Sequence, residues 1–177
     1  MRTMRPLRSL VVALAFGGAL PTFAHAQIEA GDKRFSLQGN LSKSTAAGSD
    51  LDGDLSGEIG WYWKRNISLN AGAGVTFSGA NAFYLLAVGS EYNFSEKGDT
   101  KVPFVSLNVG TLFGNGITAI VAQPGVGAHF FLSPQTSFDV TGTYTYTFEK
   151  VSGASGNDGT IGVNFGFSFY FGPGEKR

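Results

Sequence analysis

Few side chains in this sequence are equipped for chemistry, and the most suggestive of them lie far apart along the chain. There is no cysteine, and of the two histidines only His129 lies beyond the first 26 residues. Without Cys there are no disulfides, thiolate zinc sites or thiol nucleophiles. His129 and Asp139 flank the turn signal Ser133-Pro134-Gln135, so a hairpin centred near Pro134 sets them opposite each other. An imidazole beside a carboxylate is the base and orienter of a nucleophilic site, but that site also needs an adjacent hydroxyl. The run here is His129-Phe130-Phe131, with no Ser beside the imidazole. The expectation is therefore a structural polar network of Arg34, Lys64, Glu91, His129 and Asp139, in which charges withdrawn from water find partners. No catalytic residue, no cofactor and no enzyme activity is expected.

Other constellations fail on spacing. Asp50-Leu51-Asp52-Gly53-Asp54 opens like a calcium loop, but such a loop needs Gly at its sixth position and Glu at its twelfth. Leu55 and Trp61 stand there instead. The segment reads as a solvated acidic loop, and no metal site is expected. Gly114-Asn115-Gly116 and Gly125-Val126-Gly127 are not nucleotide loops, because neither opens a helix. There is no basic patch, so nucleic acid is not expected as a partner.

The elements that position these residues are strands. From Thr160 to Phe171 every odd position is apolar, ending in four Phe, while most even positions are Gly, Asn or Ser. That is a period-two strand with one greasy and one small polar face. The same alternation predicts strands over about 33–41, 54–63, 67–77, 82–94, 102–113, 118–131 and 137–148. Most approach the roughly 9–11 residues that a tilted strand needs to cross a bilayer. Turn chemistry separates them at Lys64-Arg65-Asn66, Ser78-Gly79-Ala80-Asn81, Lys97-Gly98-Asp99 and Gly114-Asn115-Gly116. Pro124 falls in mid-strand, where a bulge or distortion is expected.

Which face points inward follows from composition. Charged residues are 15% of the chain, with Gly 26 and Phe 16 of 177, whereas a soluble surface alone carries roughly 25–35% charged residues. The interior of an eight-stranded barrel is only just wide enough for its side chains, so it cannot hold this many aromatics. The inverted arrangement satisfies both limits: small polar side chains fill the lumen and the apolar face meets lipid. Closure is then obligatory, because a free strand edge in lipid leaves backbone groups unpaired. The aromatics of the apolar face collect toward both strand ends, as two girdles at two interfaces would.

The first 26 residues read as an export signal. Arg2, Arg5 and Arg8 precede the apolar run Leu10 to Leu20, and Ala24-His25-Ala26 supplies a cleavage pattern before Gln27. The division is thus a cleaved signal peptide over 1–26 and one β-barrel domain over 27–177, exported to the outer membrane of a Gram-negative bacterium.

At this point the chain resembles the small eight-stranded outer-membrane barrels, the OmpA transmembrane-domain and OmpX-like group, over about Lys33 to Phe171. The resemblance rests on the strand pattern and on one motif, polar-x-Gly-x-x-aromatic-x-aromatic at the end of the barrel. Asn164, Gly166, Phe169 and Phe171 match it. It implies an assembly signal read by the barrel-assembly machinery, with outer-membrane lipid and lipopolysaccharide as surroundings and a monomeric state. The tail Gly172 to Arg177 departs from the family, which usually stops at the final aromatic, and no OmpA-like periplasmic domain follows. The expected role is structural or surface-interacting, through outer loops 42–53 and 149–159. The alternatives are a narrow porin-like channel for small solutes, or a lumenal binder of a small amphiphile.

Overall fold

The computed structural model describes residues 28–43, 51–78, 81–96, 99–150 and 158–172. The proposed signal peptide, the turn tips at 79–80 and 97–98 and the tail beyond Gly172 lie outside the described residues. Eight strands form one closed antiparallel barrel in which each pairs with its sequence neighbour and β1 with β8. They are β1 (Lys33–Lys43), β2 (Leu51–Lys64), β3 (Ile67–Ser78), β4 (Asn81–Asn93), β5 (Lys101–Gly114), β6 (Ile117–Ser133), β7 (Thr136–Lys150) and β8 (Asp158–Phe171).

The strands run farther than alternation predicts. The acidic segment read as a loop is the start of β2, where Asp54 pairs with Asn40 and Leu51 with Lys43. Likewise β7 continues to Lys150 and β8 starts at Asp158. The expected loops 42–53 and 149–159 therefore shrink to 44–50 and 151–157, both outside the described residues. Backbone pairing extends the hairpins because it needs no apolar side chain, only a partner strand at the right spacing.

The register sets the size of the barrel. A walk from Phe35 passes through Ile59, Ala71, Val88, Val109, Ala122 and Tyr146 to Gly159, pair by pair. Across the seam, Phe35 pairs with Phe169, ten residues from Gly159 along β8. A stagger of this size over eight strands corresponds to a tilt of about 40° and a backbone radius of roughly 8 Å.

Turn residues close the short hairpins. Asn115 and Gly116 have φ of 50° and 75°, the two left-handed positions of a type I′ turn. Asn66, at φ 71°, takes the left-handed position that Asn tolerates. Its side-chain oxygen accepts from Ser95 Oγ at 2.7 Å and its amide nitrogen donates to Ser95 O at 3.1 Å. Pro124 causes no register shift, but it interrupts the β6–β7 ladder, which passes from Ala122 with Tyr146 to Gly125 with Thr143 without a pair between them. A proline forfeits its own amide hydrogen bond but need not insert a residue. The bulges of β6 instead fall between Ala119 and Val121 and between Phe131 and Ser133.

The apolar face is outside. Leu55, Ile59, Trp61, Leu86, Val88, Leu107, Val126 and Ile161 are all exposed, Val88 at 65% and Ile161 at 81%. A contiguous apolar exterior of this extent is suited to lipid and not to water. The buried apolar cluster is small and sits at one end, where Ile28, Tyr62, Val102, Phe131 and Tyr170 pack together.

An arginine at the exposed position Val88, near mid-strand, should destabilise the barrel by about 2–4 kcal/mol in lipid bilayers. Arginine at lumenal Thr143 should cost clearly less. Denaturant titration of the two variants in phospholipid vesicles checks this, and equal costs would contradict a lipid-facing exterior.

Candidate functional site

The lumen has two parts, a packed base near the chain termini and an open cup above it. The base is built from side chains that alternate inward on β1, β2, β4, β5, β6, β7 and β8. From β1, Arg34 is the largest fully buried side chain. Gly60 on β2 is its paired neighbour, and a Cβ there would collide with Asn70 Oδ1 while only touching the Arg34 side chain.

The Arg34 guanidinium joins two carboxylates. Nη2 donates to Glu58 Oε1 at 2.6 Å, and Nη1 pairs with Glu91 Oε1. His129 Nε2 stands 3.3 Å from both Arg34 Nη1 and Glu91 Oε1. Its Nδ1 lies 2.7 Å from Asp139 Oδ1, and an ionised carboxylate only accepts, so Nδ1 carries the proton of that bond. Asp139 also accepts from Ser137 Oγ at 2.6 Å and from Ser168 Oγ at 2.5 Å. Ser36 Oγ completes the chain, 2.6 Å from Ser168 Oγ. Asn93 Nδ2 donates to Glu91 Oε1 at 3.0 Å.

The structure thus brings Arg34, Glu91, His129 and Asp139 together and adds Glu58. It does not include Lys64. This is a correction with a local cause: the β2–β3 register shifts between Tyr62 and Lys64, which pairs Lys64 with outward-facing Ile67. The exposed ammonium lies over the Trp63 ring, 4.7 Å from its centroid. Glu58 was missed as a partner although parity already put it inward. The usable signal was its position, one inward step along β2 from the Gly60 that faces Arg34.

Aromatic rings pack against this network, Phe104 on the cup side and Tyr62, Phe131 and Tyr170 on the other. Phe104 stacks on His129 with centroids 4.4 Å apart. Gly127 makes room for it, since a Cβ there would strike the Phe104 ring. Phe131 packs on Tyr170 at 5.1 Å, and Tyr62 on Tyr170 at 6.4 Å. The segment before β1 then folds under the rings. Gly31 N donates to Tyr62 O at 2.6 Å, Tyr62 N donates to Asp32 O at 2.8 Å, and Ile28 is buried in the cluster. Burial raises the pKa of the Asp32 carboxyl, against the opposing hydrogen bond from the Glu29 amide.

The chemistry open to this arrangement is limited. The two serines beside Asp139 donate to its carboxylate, and the other imidazole nitrogen faces Arg34 and Glu91. Among the described residues, then, no serine stands where His129 could take its proton. No group of three metal-ligating side chains occurs among them either.

Above the base lies a cavity of about 970 Å³, floored by Glu58, Glu91 and Phe104. Its walls reach up to Asp52, Thr76, Phe83 and Thr147, toward the end opposite the termini.

The proposed assembly residues occupy the seam-side strand. Asn164 accepts from Asn40 Nδ2 at 2.9 Å inside the lumen. Gly166 is buried where a Cβ would strike Leu37 O and the Gln38 side chain. Phe169 and Phe171 face outward and pair with Phe35 and Lys33.

Solved structures with this fold include the N-terminal β-barrel domain of Pseudomonas aeruginosa OprF, with 14% sequence identity and a TM-score of 0.57 over 82% of this chain and 100% of that one. Neisserial surface protein A, NspA, also has 14% identity, with a TM-score of 0.56 over 79% of this chain and 96% of that chain. At this identity the likeness shows the fold, that of the small eight-stranded outer-membrane barrels. No family model matches the sequence, and no curated protein matches it.

Replacing Arg34 by Met leaves Glu58 and Glu91 facing each other without their cation and should destabilise the barrel by about 3–5 kcal/mol. Adding Glu58→Gln and Glu91→Gln should recover most of that loss. Urea titrations of refolded protein at pH 7 measure both, and a neutral single variant would mean that the network does not hold the base together.

Proposed function

We propose that this chain is an integral outer-membrane barrel of a Gram-negative bacterium, with a structural or surface-interaction role, and that it does not conduct. The observation that carries this reading is the pairing of an apolar exterior with an obstructed lumen. Between the cup and the terminal end stand the Arg34 network and the Tyr62–Phe131–Tyr170 rings, with Ile28 beneath them. Solute crossing the barrel would have to break buried ion pairs, which is costly in a low-dielectric interior. An even number of strands leaves both barrel ends on one side, and export through the periplasm makes that side periplasmic. The cup then opens to the cell exterior. Nothing in the base calls for catalysis, and the reading is non-enzymatic.

The refolded protein should show no steady conductance step in planar bilayers at neutral pH. A variant in which Arg34, Glu58, Glu91, Tyr62, Phe131 and Tyr170 are all changed to Ala, which removes both the ion pairs and the rings, should conduct. Reproducible channel steps from the unaltered protein would favour the narrow-pore alternative.

Asn164, Gly166, Phe169 and Phe171 serve assembly in this proposal, with the barrel-assembly machinery as the partner. Phe169 and Phe171 add apolar area to the lipid face next to the closing seam, yet the other seven strands keep their own pattern without them. Changing both to Ser should reduce outer-membrane levels several-fold in cells while leaving partial refolding in detergent. Immunoblots of membrane fractions, compared with heat-shifted migration of refolded protein, separate the two effects. Normal insertion of the double variant in cells would show that the signal lies elsewhere.

A further inference from the structure

The cup is not the uniformly small and polar lumen that strand alternation leads one to expect. On one side, β4, β5 and β6 turn Phe83, Leu85, Leu112 and Val121 into it. Leu85 pairs with Leu112 and Phe83 lies one inward step away along β4, so these three form an apolar patch on that wall, beside which Ser106, Asn108 and Gln123 of the same side also line the cup. Facing it, β7 contributes a ladder of hydroxyls, Thr141, Thr143, Thr145 and Thr147, and β1 and β8 contribute amides such as Asn40 and Asn164. Apolar surface turned into a hydrated lumen is unfavourable by roughly 25 cal/mol for each Å². A water-filled cavity gains nothing from that wall, whereas a ligand with an apolar flank covers it.

Charge supplies the second feature. Asp52, Asp54, Glu58 and Glu91 line the cup. Arg34 lies beneath and is shared between Glu58 and Glu91. Even with His129 as an imidazolium, the carboxylates of the base outnumber its cations, and Asp52 and Asp54 add to the excess. A cleft lined by one sign of charge with low-dielectric walls concentrates the opposite sign.

The third feature is independent of both. Thr141 is 95% buried, since only 5% of it is exposed, and it lines the cup, yet its hydroxyl has no hydrogen-bond partner. Asp52 Oδ1, nearer the mouth, also lacks one. Buried polar groups are nearly always satisfied, but both atoms are covered by their neighbours, so a hydrogen-bonding guest reaches them only if the lining side chains shift to uncover them.

We propose that the cup is a binding site for an amphiphilic organic cation, its apolar flank against the Phe83–Leu85–Leu112 wall and its ammonium-type group toward the Asp52–Asp54 side. The volume, about 970 Å³, lies within the range of small-molecule sites. A bare divalent ion would leave the apolar wall unused, and a fatty anion would meet carboxylates. The inference rests on the closed base proposed above, because an open channel would pass such a ligand instead of holding it.

The test uses the full refolded barrel in nanodiscs of zwitterionic lipid, with empty discs as the blank. Hexylammonium is titrated by calorimetry beside hexanoate, hexanol, methylammonium and Mg²⁺. Saturable one-to-one binding of hexylammonium is expected, at least ten-fold tighter than any of the other four. Asp52→Asn with Asp54→Asn should lower its affinity at least ten-fold. Leu85→Asn with Leu112→Asn should remove the difference between hexylammonium and methylammonium. Heat-shifted gel migration verifies that each variant is folded, and a Leu85→Met, Leu112→Met variant that binds normally shows that polarity, not repacking, is responsible. Absence of saturable binding, equal binding of hexanoate, tighter binding of Mg²⁺, or affinity unchanged in both charge and wall variants would overturn the proposal. Conductance of the same preparation separates the two readings: a conducting barrel that binds refutes the closed base, and a silent barrel that does not bind refutes the cup.

Discussion

Everything in this molecule follows from the need to pair each backbone amide and carbonyl without water. In lipid an unpaired strand edge is costly at every residue, so the sheet closes on itself. The β1–β8 ladder, from Lys33 with Phe171 to Gly39 with Phe165, is the closure that makes the other seven ladders tenable. Once it forms with a stagger of ten residues, tilt and radius follow, and the lumen has a fixed width. Side chains are then chosen for two unlike solvents at one wall thickness, hydrocarbon outside and a narrow polar channel inside.

A fixed width divides the lumen by side-chain length. Near the termini, Tyr62, Phe104, Phe131, Tyr170 and Arg34 are long enough to meet across the axis, and they do. Toward the opposite end the inward residues of β1, β7 and β8 are mainly Thr, Asn, Gln, Gly and Ser, which stop short of it. Plug and cup are thus two consequences of the same backbone. The plug in turn explains the charged groups, because a guanidinium confined among aromatic rings requires carboxylates in direct contact. The serines around Asp139 and the amide of Asn93 then satisfy lone pairs that water would otherwise reach.

Much of this was legible in the sequence, because the period of a strand is two wherever one face meets lipid. Alternation located all eight strands, and hairpin symmetry about Pro134 put His129 opposite Asp139, which is their observed pairing. It failed where the period breaks. Lys64 lies past a bulge, so parity sent it inward while the register turned it outward. Strand ends at Leu51, Lys150 and Asp158 carry no apolar alternation, and only partner strands reveal them. The inward Phe83, Leu85 and Leu112 also escaped notice. Each sits in a run where both faces are apolar, such as Phe83-Tyr84-Leu85-Leu86, and periodicity cannot show which member of such a run matters.

That last failure bears on function. A lumen required only to be filled and satisfied would be served by the Thr ladder of β7 repeated on every strand. Instead β4 and β5 turn Phe83, Leu85 and Leu112 into the cup beside Glu91, Ser106 and Asn108, while the inward residues of β1 and β7 that line it are polar. Cross-strand contact such as Leu85 with Leu112 stabilises the sheet, but it leaves part of each of these side chains uncovered toward the cup. Lipid-facing demands give no reason for the asymmetry, because the residues concerned face away from lipid. The proposed amphiphilic cation accounts for an inward apolar patch opposite hydroxyls and carboxylates, because its chemistry is the inverse of the lining: apolar on one flank, hydrogen-bonding and positively charged on the other.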